Sequence, residues 1–372
     1  MKEESMWTIG KEKSWEYLER TFEWVAIMKE VPQDARHHAE GNVAIHTRMV
    51  LDALIKEPTY AQLLPQQQEI LWAAALLHDV EKATTTITVP DGSITSHGHA
   101  RKGAMKARQL LYKEIDTPFS IRESVVSLVR YHGLPLWLFE KPDPVKAVVM
   151  ASLEINMQWL ALLARADVLG RVCADQAELL YRIDCFEEFC KEHHCWGVPF
   201  HFPSPAARMY YFSQQEGYTG YEPFKTAVAE VIMMSGLPGS GKDSYVRRHY
   251  KDKPVVSLDQ LRTEMGIAAT DKNGNGKVIQ AAKEQAREML RKQTGFVWNA
   301  TNITRQMRMQ LIELFMAYDA SVKIIYIEVP YNKLHGQNKS RNEVVPAAVI
   351  DKLAGKLEVP ALWEAHEVEY YA

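Results

Sequence analysis

The chain has 372 residues, 47% apolar and 24% charged, with 44 basic and 47 acidic side chains for a net charge of −3. That length predicts two or three domains, and the composition is that of a soluble globular enzyme. Neither half carries the basic stripe of a protein that grips long duplexes, and the longest apolar region, Ala147 to Leu169, is interrupted by Glu154, Arg165 and Asp167, so it reads as a buried helix and not a membrane span.

Met1 to Lys13 has no apolar run, so no signal peptide is expected. Cys173, Cys185, Cys190 and Cys195 are then expected to be reduced thiols of a cytoplasmic protein. The spacing of Cys190, His193, His194 and Cys195 fits no standard zinc motif and predicts ordinary packing. Charge is uneven along the chain. From Val231 onward there are 20 basic and 16 acidic residues, a balance of +4, which leaves −7 for the part before it. A basic C-terminal part suits polyphosphate or nucleic-acid ends; an acidic N-terminal part suits bound cations.

Residues 14–196 read as an all-α bundle. Helical spacing of apolar residues predicts helices over Trp15–Lys29, Val43–Ile55, Gln66–His78, Ala100–Tyr112, Ile121–Tyr131, Val145–Val172 and Gln176–Glu192. Pro58, Pro65, Pro118, Pro135 and Pro142 fall between them. Thr84–Thr95 is rich in β-branched residues around Pro90-Asp91-Gly92 and predicts a short hairpin. Residues 197–230 are punctuated by Gly and Pro but rich in Tyr and Phe, which predicts an ordered connector. Residues 231–372 alternate strands and helices. Val231–Met234, Pro254–Ser257, Phe296–Trp298 and Ser321–Val329 read as strands of a parallel α/β sheet.

Gly236-Leu237-Pro238-Gly239-Ser240-Gly241-Lys242 follows the first of those strands and precedes a helix. In that context the glycines let backbone N–H groups close on phosphate oxygens, and Lys242 neutralises the β- and γ-phosphates of a nucleoside triphosphate such as ATP. Ser240 belongs to the same cradle. A Ser or Thr that helps hold Mg²⁺ normally follows the lysine. Here Asp243 stands there, followed by Ser244, while Phe296–Asn302 ends a strand in Asn299-Ala300-Thr301-Asn302, where Asp-Ala-Thr-Asn is the related pattern. These two departures predict that the Mg²⁺-directed carboxylate has moved from position 299 to Asp243.

The next strand ends in Ser257-Leu258-Asp259-Gln260-Leu261-Arg262. Here the chain resembles the polynucleotide 5′-kinase family, whose second strand ends in Asp-x-x-Arg. The resemblance covers Val231 to the C-terminus. It implies that Asp259 is the base that activates a 5′-hydroxyl and that Arg262 contacts the neighbouring phosphate of the acceptor. The other reading of Asp259 is a helix cap. Gln337–Pro346 looks like the helical lid of these kinases, with Arg341 as its transition-state arginine and Gln337 where a second arginine is expected. Arg305 and Arg308 are further candidates for nucleotide contact, or else solvated surface arginines.

The N-terminal half resembles the HD phosphohydrolase superfamily over roughly residues 30–175. The matching pieces are Glu40-Gly41-Asn42-Val43-x-x-His46, His78-Asp79-Val80-Glu81-Lys82, Gly98-His99, Arg130-Tyr131-His132 and Arg165-Ala166-Asp167. Their order and spacing are close to the HD module of some CCA-adding tRNA nucleotidyltransferases. The resemblance implies a first metal on His46, His78, Asp79 and Asp167, and a second that shares Asp79 and adds His99 and His132. Mn²⁺, Ni²⁺, Co²⁺ and Zn²⁺ all suit such ligands. Two such ions about 3.5–4 Å apart activate water and clamp phosphoryl oxygens. Lys82 is expected to bind the phosphate or assist the leaving group, and Glu81 replaces the glycine usual before that lysine. His37 and His38, just before the motif, read as plain loop residues, or else as lining the mouth of the site.

An HD domain fused to a 5′-kinase resembles the bacterial HD-Pnk family of nucleic-acid end-healing enzymes. That resemblance implies NTP-dependent phosphorylation of 5′-OH RNA or DNA ends and metal-dependent removal of 2′,3′-cyclic phosphate and 2′- or 3′-phosphate. Both products are what a nucleic-acid ligase consumes. Two other readings keep the folds: a nucleotidase fused to a small-molecule kinase, and a nucleotide-sensing regulator.

Overall fold

The computed structural model describes residues 6–215, 217–224, 226–268, 271–340 and 344–372. The chain divides into two compact units, Met1–Phe200 and His201–Ala372.

The first unit is a helical bundle built around Pro65–Leu77. Every residue of that helix from Glu69 to Leu77 is buried. A helix apolar all round belongs at the centre of a bundle, and this one has neighbours on all sides. Val43–Lys56, Phe119–Tyr131 and Met157–Leu169 pack against it, and His99–Lys113 packs on Phe119–Tyr131. Gln176–Glu192 closes the bundle against Met157–Leu169. Between Lys82 and His99 the expected hairpin is present but short. Its strands β1 (Ile87–Thr88) and β2 (Ile94–Thr95) pair antiparallel, preceded by one helical turn, Lys82–Thr85.

Two expected helices are broken. Trp15–Lys29 becomes Trp15–Thr21, Glu23–Ile27 and a 3₁₀ turn, because Phe22 is extended (φ −119°, ψ 109°) and stacks its ring on Trp24 at 5.2 Å. Val145–Val172 becomes Pro144–Ser152 and Met157–Leu169, bent by 109°. The local signal for that break is Asn156, whose side chain accepts the Gln158 N–H at 2.8 Å and starts a new helix. Among the described residues no single helix is long and apolar enough to cross a membrane.

In the second unit, strands β3 (Ala229–Ser235), β4 (Val255–Ser257), β5 (Phe296–Asn299), β6 (Ala320–Ile327) and β7 (Glu367–Tyr371) form one parallel sheet in the order β4-β5-β3-β6-β7. The central β3 is buried at Val231–Ser235, as its unbroken apolar run requires. The edge strand β7 was not expected: its charged, partly exposed Glu367-Val368-Glu369 gives no apolar run to read. Within the stretch read as connector lies a helix, Pro205–Ser213. Ser204 caps it by accepting the Ala207 N–H at 3.0 Å, and Arg208 donates to the Ala365 and His366 carbonyls of the same unit.

Candidate active sites

The histidines and aspartates of the first unit sit at helix ends that converge. His46 lies in the first turn of Val43–Lys56, which Asn42 caps through the Ile45 N–H at 3.0 Å. His78 and Asp79 leave the C-terminus of the central helix, His99 opens His99–Lys113, and His132 closes Phe119–Tyr131. Asp167 is in Met157–Leu169. Apart from His99, these residues are buried.

Three of the rings are oriented in one way. Nδ1 of His78, His99 and His132 faces the carbonyl three residues back (Ala75, Ser96 and Val129) at 2.7, 2.8 and 2.8 Å. A ring that donates from Nδ1 keeps the Nε2 lone pair as a ligand. Nε2 of His78 lies 3.4 Å from Nε2 of His46 and 3.3 Å from Asp79 Oδ2. Nε2 of His99 lies 3.2 Å from Nε2 of His132 and 3.4 Å from Asp79 Oδ1. Asp79 thus turns one oxygen to each histidine pair. Asp167 Oδ1 completes the first group, 3.1 Å from His46 Nε2.

These spacings fit cations. Two donors about 2.1 Å from one ion at a tetrahedral angle lie about 3.4 Å apart. Facing Nε2 lone pairs have no proton to share, so they repel unless a positive charge stands between them. The electrostatics are divided: burial works against charge on His46, but Asp167 and Glu40 outweigh it and raise that imidazole, whereas His132 goes the other way. Burial pushes the His132 imidazole down to about 3, helped by His99 and His78. Burial also works against charge on Asp79 and Asp167, yet Lys82 and His78 hold the first, and Arg171 and His46 the second, well below the usual carboxylate range.

Around the candidate ligands stand Glu40 and Arg171, which no sequence expectation covers, together with Lys82 and the two histidines of the preceding loop. Glu40, quoted only as part of the motif, is almost fully buried and lies 3.0 Å from His46 Nδ1 and 2.8 Å from His38 Nδ1, while accepting the Val172 N–H at 2.9 Å. Arg171 forks onto both oxygens of Asp167. Lys82 places Nζ 2.7 Å from Asp79 Oδ2 and donates to Gln33 Oε1 at 2.7 Å. His37 and His38, read as loop residues, line the cleft, and burial pushes His38 down to about 4. The cleft has a volume of about 700 Å³ and reaches Asp79, Lys82, His99, His132 and Asp167. Among the described residues three His/Asp/Glu groups could hold an ion: His46-His78-Asp79, Asp79-His99-His132 and His38-Glu40-His46. None contains a cysteine, and all four cysteines are free thiols.

In the second unit the candidate residues gather at the carboxyl ends of adjacent parallel strands, where such sheets bind ligands. Strand β3 runs into Gly236–Lys242. Gly236, Gly239 and Gly241 have φ of 145°, 84° and 101°. At Gly236 a Cβ would stand 2.3 Å from the Ile327 carbonyl oxygen, so only glycine fits. The Lys242 ammonium donates to the Gly236 and Leu237 carbonyls at 2.9 and 2.8 Å, and the Ser240 hydroxyl is buried without a hydrogen-bond partner. An orphan hydroxyl and a lysine folded over a glycine loop suit a phosphate group. Ser244 is exposed and accepts from Arg247 at 3.1 Å.

Strands β4 and β5 bring the other candidates. Asn299 Nδ2 donates to Asp243 Oδ1 at 2.8 Å, so the two departures from the usual pattern face each other. Ser257, not Asp259, caps the helix Leu258–Glu264 through the Gln260 N–H at 3.3 Å, which removes the capping account of Asp259. Arg262 pairs with Asp259 and donates through Nε to Asn275 Oδ1 at 3.0 Å. Asn302 (φ 43°), also unassigned at first, is buried; it ties β5 to β3 by donating to the Met234 carbonyl at 2.7 Å.

Arg308 requires a correction. It is neither a nucleotide contact nor a surface residue: it is fully buried, forks onto Glu364 at 2.7 and 2.9 Å, and donates to the Asn302 and Glu358 carbonyls. Arg305 shares Glu364 at 3.2 Å and lies over the Trp363 ring at 4.6 Å, so it is held in the same structural group. The stretch read as a lid, Gln337–Pro346, begins in the helix Tyr331–Lys339 and precedes the helix Ala347–Ala354, and Asn338 lies against Gly239. Arg341 lies outside the described residues.

Comparison with known proteins places an HD domain over residues 43–153 and an AAA domain of the AAA_33 family over residues 231–360. The multifunctional CCA protein of Methylococcus capsulatus is 34% identical over 117 residues, 32% of this chain and 25% of that protein. The corresponding protein of Aromatoleum aromaticum is 34% identical over 105 residues, 28% of this chain and 23% of that protein. The chain thus spans about a quarter of the length of these curated relatives. Among solved structures, a chain of the Pnkp1/Rnl/Hen1 complex aligns with a TM-score of 0.29 and 16% identity over 34% of this chain and 43% of that one. A putative kinase from Chloroflexus aurantiacus aligns with a TM-score of 0.34 and 14% identity over 39% and 86%.

Proposed function

We propose that this chain, an HD domain followed by a P-loop kinase-like domain in the arrangement of the HD-Pnk family, prepares nucleic-acid ends for joining. The second unit phosphorylates a 5′-hydroxyl, and the first opens a 2′,3′-cyclic phosphate and removes the remaining 2′- or 3′-phosphate. The observation that carries this reading is Asp259 paired with Arg262 at the end of β4, on the same sheet edge as the glycine loop that follows β3 two strands away, and in the same chain as a group of four histidines and two aspartates.

In the kinase step Asp259 takes the proton of the attacking hydroxyl. The hydroxyl oxygen bonds to the γ-phosphorus, and the bond from that phosphorus to the β–γ bridging oxygen breaks, releasing the nucleoside diphosphate. Arg262 holds the acceptor's adjoining phosphate and keeps Asp259 in position through their ion pair. Lys242 and the loop N–H groups hold the donor phosphates, Asp243 would hold the accompanying Mg²⁺, which neutralises phosphate charge, and Arg341 is the lid's contribution to the transferring group.

In the hydrolase, His46, His78, Asp79 and Asp167 would hold one divalent transition metal, and Asp79, His99 and His132 a second. Such ions supply an activated water and neutralise phosphoryl charge. Lys82 holds Asp79 in place and lines the cleft, where its ammonium is available to a phosphate oxygen. Glu40 and Arg171 fix the ring of His46 and the carboxylate of Asp167.

The test is an oligonucleotide with a 5′-OH and a 2′,3′-cyclic phosphate, incubated with labelled ATP, Mg²⁺ and Mn²⁺ or Ni²⁺. Asp259→Ala is expected to lose only 5′ labelling, and Asp79→Ala only healing of the 3′ end. If the unaltered protein changes neither end but hydrolyses free nucleotides, the polynucleotide reading is wrong and a nucleotidase joined to a small-molecule kinase replaces it.

A further inference from the structure

The hydrolase cleft is larger than a phosphoester requires. A volume of about 700 Å³ is that of a site for a whole small molecule. Away from the histidines its wall turns apolar, with Leu134, Leu136, Trp137 and Met150. Three of these stand on the single turn Leu134–Trp137, which directly follows His132. The wall is therefore tied to the metal-ligand group by a few residues of backbone.

Trp137 differs from its neighbours. Leu134 and Leu136 are buried, whereas Trp137 is 41% exposed while lining the cleft. The guanidinium of Arg182 lies over the ring at 5.0 Å. Arg182 is fixed in turn by Glu178 at 2.8 Å, Glu140 at 3.2 Å and the Leu136 carbonyl at 3.3 Å. Arg182 thus braces one face of the indole, and Arg182 itself does not line the cleft. A large aromatic surface held still and left open is a stacking platform; an indole serving only the core would be covered. Arg130 and Lys141 line the same cleft and bring positive charge to it.

We propose that Trp137 forms a nucleobase subsite of the hydrolase. The base of the terminal nucleotide stacks on the indole while its phosphoester reaches the histidine–aspartate group, and Arg130 and Lys141 face the adjoining backbone phosphate. The proposal rests on the phosphohydrolase reading of this cleft and adds to it that the substrate is recognised by its base as well as by its phosphate. Stacking accepts every base, so the subsite selects nucleotides over other phosphoesters without selecting among sequences.

The full-length protein loaded with Mn²⁺ tests this with two ligands, a nucleoside 3′-monophosphate and ribose 3-phosphate, measured by calorimetric binding and by hydrolysis. Trp137→Ala is expected to bind the nucleotide about 10-fold more weakly and to raise KM by a similar factor, with kcat within about twofold. Trp137→Phe is expected to retain affinity within about threefold, and neither change is expected to alter ribose 3-phosphate. Because the second unit is the same in all three proteins, the comparison isolates the cleft. Equal affinity of the unaltered protein for the two ligands, or equal affinity of Trp137→Ala and the unaltered protein for the nucleotide, overturns the subsite. If Trp137-dependent nucleotide binding is found without phosphate release, the subsite stands and the hydrolase reading falls.

Discussion

At the scale of residues, the second unit presents an exchange. Asp243 stands one position after the P-loop lysine, Asn299 ends the strand β5, and the two side chains meet at 2.8 Å. On the proposed kinase reading, the carboxylate that would face Mg²⁺ comes from the helix side instead of the strand side. Asp243→Ser is therefore expected to cut Mg²⁺-dependent 5′ phosphorylation at least about 100-fold, on the scale of a lost electrostatic contact in phosphoryl transfer. Restoring the carboxylate at the other position, Asp243→Ser with Asn299→Asp, is expected to recover most of that activity. A double variant as inactive as the single one sinks the idea. Both departures were legible in the sequence, but only the fold shows that residues 56 positions apart touch.

At the scale of elements, the first unit depends on how closely two helices approach. Gly170 ends Met157–Leu169, and a Cβ there would lie 2.6–2.8 Å from side-chain and backbone atoms of Val50 in Val43–Lys56. Its carbonyl also faces His46 Nδ1 at 3.1 Å. Those helices carry Asp167 and His46, so prising them apart moves two candidate ligands of one ion. Gly170→Ala is expected to weaken Mn²⁺ binding about 10- to 100-fold, the range for lost outer-shell support of a metal site. Competition with a chelator measures it, and unchanged affinity would show that the helix contact does not set the ligand spacing. No motif search singles out Gly170, because its role exists only across the helix interface.

A second element-scale device is the Glu364 anchor of Arg305 and Arg308. Burial alone would raise the Glu364 carboxyl, but Arg308 and Arg305 hold it below the ordinary value of 4.5. A depressed carboxyl contributes stability above its unfolded value, and that stability is lost as the pH falls through the folded value. Glu364→Gln leaves a buried Arg308 without its counter-charge and is expected to cost about 3–5 kcal/mol near neutral pH, a gap that narrows in acid. Denaturant unfolding of the second unit at two pH values checks the sign; a gap that widens in acid contradicts it.

At the scale of the whole molecule, the chain divides into two compact units, one with the histidine–aspartate group and one with the glycine loop. A cation that binds the folded first unit stabilises that unit alone by mass action, about 2.7 kcal/mol at a concentration 100 times Kd. Scanning calorimetry is expected to show two transitions, of which Mn²⁺ raises one and Asp79→Asn abolishes the shift. If Mn²⁺ raises both equally, the units do not unfold separately.

The sequence by itself determined the fold classes, the strands β3 to β6, the glycine loop and the histidine–aspartate set. Each of these rests on local periodicity or on residues whose chemistry survives without context. The breaks at Phe22 and near Asn156, the unannounced edge strand β7 and the helix Pro205–Ser213 were decided by packing that periodicity does not record. So were the burial of Arg308, the Asp243–Asn299 contact and the placing of Glu40 and Arg171 behind the candidate ligands. An isolated arginine or glutamate looks the same in sequence whether water or a buried counter-charge receives it, and only the tertiary structure supplies the partner.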